Sequence, residues 1–190
     1  MMASLVGSLL LVFLLGCARH YDTTELLQRY IQAANRHDMP ALRGMLAEDI
    51  VWVLSSDTLI GKDAVLAPHE FDAGAKTRLT VQSSVVQGDT AELAIEEANA
   101  YMDTLGMPPV VHYARFIFHN GLLARIGTIR PRLTPPATDS IDQRWNAWIE
   151  SAHPEAWAQI IKPDGHINFG RKTGELLVRL AHEWKHGPAK

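Results

Sequence analysis

The feature that most restricts the fold is a run of four strand patterns between residues 77 and 130. These segments are Thr77–Gln87, Thr90–Met102, Val110–His119 and Leu122–Arg130. Gly88-Asp89 separates the first two and Asn120-Gly121 the last two, and two-residue sequences of this kind are strong signals for tight β-hairpins. Pro131 follows the last segment and is predicted to end it. The pattern therefore predicts a long antiparallel meander.

Two amphipathic helices are predicted before this meander. Asp22 and Glu25 have the spacing of a capping box at the start of the first helix, and Asp38 is predicted to cap the second. Alternation over residues 50–54 predicts a strand, and a short helical turn over Asp63–Leu66 is predicted to lead into a loop. Helices followed by a meander indicate an α+β domain with its helices on one face of the sheet.

Five short stretches follow one another in an order and at a spacing typical of a known superfamily. They are Leu27-x-x-Tyr30-x-x-Ala33, His37-Asp38-Met-Pro-Ala-Leu42, Leu46-Ala-Glu-Asp-Ile-Val-Trp52, Gly61-Lys62-Asp-Ala-Val65 and Phe118-His-Asn-Gly121-Leu-Leu. On these stretches, residues 23–131 resemble the nuclear transport factor 2-like superfamily and, within it, the SnoaL-like branch. The resemblance implies a curved antiparallel sheet wrapped as a cone around the N-terminal helices. It also implies a pocket in the mouth of the cone and frequent homodimerisation through the sheet.

Residues 132–190 are predicted to form a helical extension of this domain. A proline-containing linker over residues 132–138 precedes Ser140 and Gln143, which have capping-box spacing. Four of the five tryptophans lie in this region, which is too much apolar surface to leave in water. The region resembles an extension found on some SnoaL-like proteins. The main interpretation is a helical cap packed on the domain, and the alternative is a lid or a partner-binding surface.

The first sixteen residues are predicted to be a signal peptide. The apolar run from Leu5 to Leu15 has eleven residues, and as a helix it rises only about 16 Å, against a hydrocarbon core of roughly 30 Å. Leu14-Leu15-Gly16-Cys17 resembles the lipobox of bacterial lipoproteins, in which the chain is cut before the cysteine and the thiol receives diacylglycerol. Residues 17–22 are then the lipidated N-terminal segment.

The resemblance to lipoproteins implies a membrane as the partner of Cys17, because more than one acyl chain, palmitate among them, gives stable anchoring. Ala18 follows the cysteine where an Asp would resemble an inner-membrane retention signal. The expected location is therefore the bacterial cell envelope, at the outer membrane and facing the periplasm. The alternative is an ordinary cleaved signal peptide followed by a chance cysteine.

The charge of the chain argues against nucleic-acid binding, and its cysteine content excludes an intrachain disulfide. The formal net charge is −3 and no block of Lys or Arg stands out, whereas binding to nucleic acid needs a concentrated basic face. With a single cysteine, the chain forms no intrachain disulfide. No cofactor is predicted.

Polar side chains are predicted to gather at one end of the meander. On the predicted strand Thr90–Met102, one face starts apolar and ends in Glu97, Asn99 and Tyr101, with His112 at the same end of the next strand. The predicted ligand-binding residues are Tyr30, Trp52, Glu97, Asn99, Tyr101, His112, Phe116 and Arg130. Polar groups converging on an apolar cup are typical of a small-molecule site. The alternatives are that a bulge turns Glu97 outward, or that Glu97 and Arg130 only pair as structural charges.

Two further motifs are weaker indications of function than the predicted small-molecule site. His69-Glu70 lies in the predicted loop, from which it could close over the pocket. His182-Glu183-Trp-Lys-His186 matches the zinc-protease pattern H-E-x-x-H. At 100° per residue, however, both histidines point away from the apolar stripe of their helix. A solvated helix face is the better interpretation, and no metal site is predicted.

Three functions remain open on the sequence. The favoured hypothesis is a lipid-anchored extracytoplasmic module that binds a small apolar or amphipathic molecule and is not an enzyme. The second is a SnoaL-like enzyme of the isomerase, cyclase or hydrolase type, with Glu97 and His112 as an acid–base pair. Resemblance to ketosteroid isomerase places the proton-transfer positions near Leu54 and Ala114, which cannot move a proton. The third is an envelope interaction protein with a filled pocket.

Overall fold

The computed structural model describes residues 21–54 and 57–187. The helices are α1 (Thr23–Asn35), α2 (Met39–Met45), α3 (Lys62–Ala75), α4 (Ala100–Leu105), α5 (Pro136–Ala152), α6 (Pro154–Ile160) and α7 (Arg171–His186). The strands are β1 (Leu46–Val53), β2 (Thr58–Ile60), β3 (Arg78–Gln87), β4 (Thr90–Ala98), β5 (Val110–His119) and β6 (Leu122–Leu133). The predicted α+β class is confirmed.

The strands form one open sheet in the order β2-β1-β6-β5-β4-β3. Neighbouring strands are antiparallel except β1 and β6, which run parallel. The two predicted hairpins are present, with Gly88, Asn120 and Gly121 at the positive φ values that such turns require. The meander β3–β6 therefore forms as predicted, and irregularities in its register add to the curvature of the sheet.

The predicted strand Thr90–Met102 is wrong beyond Ala98. β4 ends there, and Asn99 becomes the N-cap of α4, its side-chain oxygen accepting a hydrogen bond from the N–H of Met102 at 3.0 Å. Asn99 is fully buried. An Asn that satisfies the free N–H groups of a new helix stabilises the change from strand to helix. Asn99 and Tyr101 consequently do not share a strand face with Glu97.

Two further predicted boundaries are also wrong. α3 continues through Pro68 to Ala75, so that His69 and Glu70 lie on a helix and not in a loop. β6 continues past Pro131 to Leu133, with an irregular register against β5 around the proline, where a missing N–H costs little. In both cases the packing of the flanking residues outweighs the local preference of proline.

The apolar residues form two cores. The sheet core lies between the sheet and helices α1, α2 and α3, and comprises Leu27, Tyr30, Ile31, Ala33, Ala34, Leu42, Leu46, Ile50, Val65, Leu66, Ala91, Leu93, Ile95, Phe116, Phe118, Leu123 and Ile126. The cap core joins α3 and α4 to α5, α6 and α7, and comprises Phe71, Ala75, Met102, Leu105, Met107, Val110, Trp145, Ile149, Ile160, Leu177, Leu180 and Ala181. A chain from residue 18 to 190 retains every residue of both cores, so we expect it to fold by itself.

The C-terminal helices pack against the outer sides of α3 and α4. Trp145 of α5 is only 2% exposed, and Trp148, Trp157 and Trp184 are partly buried against the cap core. Helices α5–α7 are therefore packed against the domain through the cap core. Most of the apolar surface that suggested a partner-binding role is covered within the chain.

α3 and α7 approach each other through a pair of glycines. A methyl group built on Gly74 would lie 2.9 Å from the backbone nitrogen of Glu175, and one built on Gly174 would lie 2.6 Å from the backbone nitrogen of Ala75. Real side-chain carbons do not come this close to backbone atoms. The two helices can therefore pack at this distance only because both positions lack a side chain.

The predicted signal peptide and Cys17 lie outside the described residues. Within residues 21–54 and 57–187, no helix is both long and apolar enough to span a membrane.

Candidate functional site

Glu97 and His112 meet at the ends of neighbouring strands. β4 and β5 are paired so that Ile95 lies opposite His112 and Glu97 opposite Val110, which places Glu97 and His112 diagonally on one face. Glu97 Oε2 lies 2.9 Å from His112 Nε2, and the side chains are 26% and 36% exposed. His112 Nε2 is shielded from solvent and has no partner in hydrogen-bond geometry, so the two side chains are in close contact without a well-aligned hydrogen bond.

A second polar pair lies deeper in the cone. The Tyr30 hydroxyl on α1 lies 2.9 Å from His69 Nε2 on α3, and both side chains are buried. The ring of Trp52 lies 5.6 Å from the His69 ring, and the ring of Phe116 packs edge-on to Tyr30 at 5.5 Å. Two of the predicted ligand-binding residues, Tyr30 and Trp52, thus contact His69, a residue predicted to lie in a loop, and a third, Phe116, contacts Tyr30.

The surroundings of this pair keep both groups neutral. Burial, and secondarily the electrostatic influence of His37, lower the pKa of His69 to about 4. Burial, followed by the Asp72 carboxylate, raises the pKa of the Tyr30 phenol above its usual range. At neutral pH the imidazole therefore has one donor and one acceptor nitrogen, and the hydrogen bond to Tyr30 uses one of them.

Asp72 connects the two polar pairs and was not singled out from the sequence. It lies one helical turn after His69, with its Oδ2 3.9 Å from His69 Nδ1, and its side chain is 24% exposed. Burial, followed by the charge of Glu97, raises the pKa of Asp72, while the hydroxyl of Thr77 opposes the shift. Because the charge of Glu97 acts on Asp72, the two polar pairs are electrostatically linked. The spacing of His69 and Asp72 could have revealed this link only if α3 had been predicted to continue through Pro68.

These groups form a polar line across the cone, from Tyr30 through His69, Asp72 and Glu97 to His112. Its inner end is buried, while its outer end, at Glu97 and His112, is partly open to solvent. A partly exposed carboxylate and imidazole in contact can accept, donate or exchange a proton with a molecule that reaches them. An uncharged carboxyl on Asp72 would add a donor, and its raised pKa favours that form.

The remaining predicted ligand-binding residues make other contacts. Asn99 caps α4, and the ring of Tyr101 stacks on that of Trp145 at 5.3 Å with an angle of 17°. Arg130 lies on the ring of Tyr113, with its guanidinium carbon 3.5 Å from the ring centre, and is exposed. Arg130 therefore pairs with an aromatic ring and not with Glu97.

The H-E-x-x-H motif lies on the outer face of α7. His182 and His186 are exposed, with ring centres 6.3 Å apart, and Glu183 contacts His153 Nε2 at 3.1 Å. In the described part of the chain, no group of three or more His, Cys, Asp or Glu side chains is arranged to hold a metal ion.

Solved structures of several bacterial proteins are similar to this fold. AclR from Streptomyces galilaeus, a proposed hydroxylase, is 16% identical, with a TM-score of 0.51 over 64% of this chain and 85% of its own. A protein from Kribbella flavida is 16% identical, with a TM-score of 0.52 over 65% of this chain and 95% of its own. A cystatin-fold protein from Novosphingobium aromaticivorans is 15% identical, with a TM-score of 0.50 over 58% and 99%.

At these identities the likeness establishes the fold alone and gives no support to the expectation that the chain is not an enzyme. No curated protein matches the chain. Residues 27–126, from α1 into β6, match the SnoaL-like domain, and helices α5–α7 lie outside the match. The match covers more than half of the sequence, in agreement with the cone of sheet and helices, and the chain therefore belongs to the SnoaL-like domain family.

Proposed function

We propose that the cone binds a small amphipathic molecule, with the polar group of the ligand at Glu97 and His112. The observation that carries the proposal is the 2.9 Å contact between these side chains, both of which remain partly exposed. Trp52 and Ala114 are also partly exposed and pack on the sheet core, which offers apolar surface nearby. A mainly apolar wall with a few convergent polar groups is typical of a ligand site.

The charges of the site favour an uncharged polar group on the ligand. The Glu97 carboxylate is already paired with His112, and the raised pKa of Asp72 favours its neutral form. An ionic ligand would add an unbalanced charge to a partly desolvated site, at a high free-energy cost. A hydroxyl group can donate to Glu97 and can accept from the ring nitrogen of His112 that does not face Glu97, so we propose a hydroxylated apolar ligand.

2-Naphthol tests this proposal because it combines an apolar ring system with one hydroxyl group. We expect Glu97→Gln and His112→Asn, made in the chain from residue 18, each to weaken 2-naphthol binding about tenfold, the value of one charge-assisted hydrogen bond. Naphthalene, which lacks the hydroxyl, should bind wild type and variants alike. Fluorescence titration measures both affinities.

Glu92→Gln is the matched control for these variants. Glu92 lies on the same strand as Glu97, is paired with Arg115, and is outside the polar line, so this variant should bind 2-naphthol as wild type does. Equal affinity of wild type for naphthalene and 2-naphthol would contradict the placement of the ligand hydroxyl at Glu97 and His112. A loss of 2-naphthol affinity in Glu92→Gln as large as that in Glu97→Gln would contradict it as well.

The same contact favours an enzyme as the second candidate function. A carboxylate and an imidazole in contact are suited to general acid–base catalysis, and this fold supports both binding proteins and enzymes. Incubation of the wild-type chain with hydroxylated aromatic and polyketide-like compounds, followed by mass spectrometry, tests for turnover. Conversion by wild type that is lost in both Glu97→Gln and His112→Asn would support catalysis, and conversion retained in both variants would contradict it.

We further propose that Cys17 carries the lipid that tethers the chain to the cell envelope. Support comes from Leu14-Leu15-Gly16-Cys17 at the end of an apolar run of signal-peptide length. In a bacterium that processes lipoproteins, we expect wild type in the detergent phase, labelled by a palmitate analogue, and unlabelled Cys17→Ser in the aqueous phase. A wild-type protein with a free thiol and no label would contradict the proposal.

A further inference from the structure

We propose that Trp145 is a positioning residue for the Glu97–His112 site, acting through Tyr101. The inference rests on the proposed function, because it assigns part of that site to a helix outside the SnoaL-like match. In this arrangement the C-terminal cap does not only cover apolar surface. It also holds one wall of the binding site in place.

α4 transmits the effect because it begins directly after the strand that carries Glu97. Only Ala98 and Asn99 separate Glu97 from the first residue of the helix. Asn99 is fully buried and fixes this junction through its hydrogen bond to Met102. A shift of α4 would therefore move the end of β4, and with it the Glu97 carboxylate.

Tyr101 lies between the cap and the site. Its ring stacks on Trp145 at 5.3 Å, nearly parallel. Burial, followed by the charge of Glu97, raises the pKa of the Tyr101 phenol, and Tyr101 follows Glu97 by only four positions along the chain. Tyr101 therefore contacts the cap directly and is joined to the strand of Glu97 by the short junction between β4 and α4.

The contact with Trp145 depends on its ring and not on its polar atom. Trp145 is 2% exposed, and its Nε1 has no hydrogen-bond partner. A buried N–H without a partner is unfavourable, so the stacked surface is what the indole contributes. Phenylalanine retains an aromatic surface and has no N–H, and should therefore keep Tyr101 in place.

The test uses three variants of the chain from residue 18, labelled with 3-fluorotyrosine. We expect Trp145→Leu to bind 2-naphthol about fivefold more weakly, and to move the ¹⁹F resonance of Tyr101. Trp145→Phe should bind within about twofold of wild type. Trp148→Leu, the same change one turn away beside His153, is the matched control and should leave binding and the Tyr101 resonance unchanged.

Wild-type affinity in a folded Trp145→Leu would overturn the inference, as would an equal loss in Trp145→Phe or Trp148→Leu. Should Trp145→Leu fail to fold, Trp145→Met, which fills the space without a ring, is measured in its place with the same expected loss. Failure of the proposed function gives a different result, since wild type would then not bind 2-naphthol. In that case an unmoved Tyr101 resonance in Trp145→Leu would overturn the positioning role as well.

Discussion

Gly174→Ala is expected to lower the free energy of unfolding by about 3 kcal/mol, the upper part of the usual range for overpacking. The new methyl group would meet the backbone of α3 near Phe71 and Ala75, and backbone atoms cannot move aside as a flexible side chain can. Gly74→Ala should have an effect of the same size, because its methyl group would meet the backbone of Arg171 and Glu175. A loss of stability is diagnostic of the close packing, because a change from glycine to alanine inside a helix otherwise raises the free energy of unfolding.

Gly44→Ala is the matched control. Gly44 is exposed on α2, and a methyl group built there meets no atom within 4 Å. The free energy of unfolding of this variant should rise by about 1 kcal/mol, the difference in helix propensity between glycine and alanine. Urea unfolding of the three variants and wild type measures the differences. A Gly174→Ala chain as stable as Gly44→Ala would show that α3 and α7 do not pack as closely as described.

Acidification from pH 7 to pH 4 is expected to remove about 3 kcal/mol of stability through His69 alone. The pKa of His69 in the folded chain is about 4, below its usual value of 6.5. The unfolded chain therefore binds a proton first as the pH falls. The contribution of His69 to the free energy of unfolding is therefore fully present above pH 6.5. It declines between pH 6.5 and pH 4 and does not change further below pH 4.

His69→Gln isolates this contribution, because glutamine can bond to Tyr30 but does not titrate. The free energy of unfolding of wild type minus that of His69→Gln should fall by about 3 kcal/mol between pH 7 and pH 4. The raised pKa of Asp72 acts in the opposite sense, since protonation stabilises the folded form, and the subtraction largely removes it. His182→Gln, at an exposed position on α7, is the matched control. A difference that does not vary with pH would contradict a buried neutral His69.

The meander could be predicted from the sequence because its determinants are local. Gly88-Asp89 and Asn120-Gly121 fix two turns, and the alternation of the strands fixes which side chains face the helices. The pairing of Glu97 with His112 follows from the same logic, since both lie near the strand ends on one face. The 2.9 Å contact is a direct consequence of the register between β4 and β5.

The other part of the site depends on contacts between elements distant in sequence. Asn99 and Tyr101 continue an alternating pattern, but the packing of α4 on the cap turns them out of the strand. Asp72 was not singled out because the helical turn over Asp63–Leu66 was predicted to lead into a loop, whereas α3 continues to Ala75. Periodicity cannot describe residues whose conformation is determined by tertiary packing.

The close crossing of α3 and α7 has a consequence for the order in which the chain is made. Glu70 and Arg171, which bond across this crossing, are 101 positions apart. On the ribosome, the sheet core can form as soon as β6 is complete, whereas Phe71, Met102 and Leu105 lose contact with water only after α7 has emerged. Nascent or truncated chains that lack α7 therefore expose an apolar surface. We expect chaperones to bind these forms and proteases to degrade them.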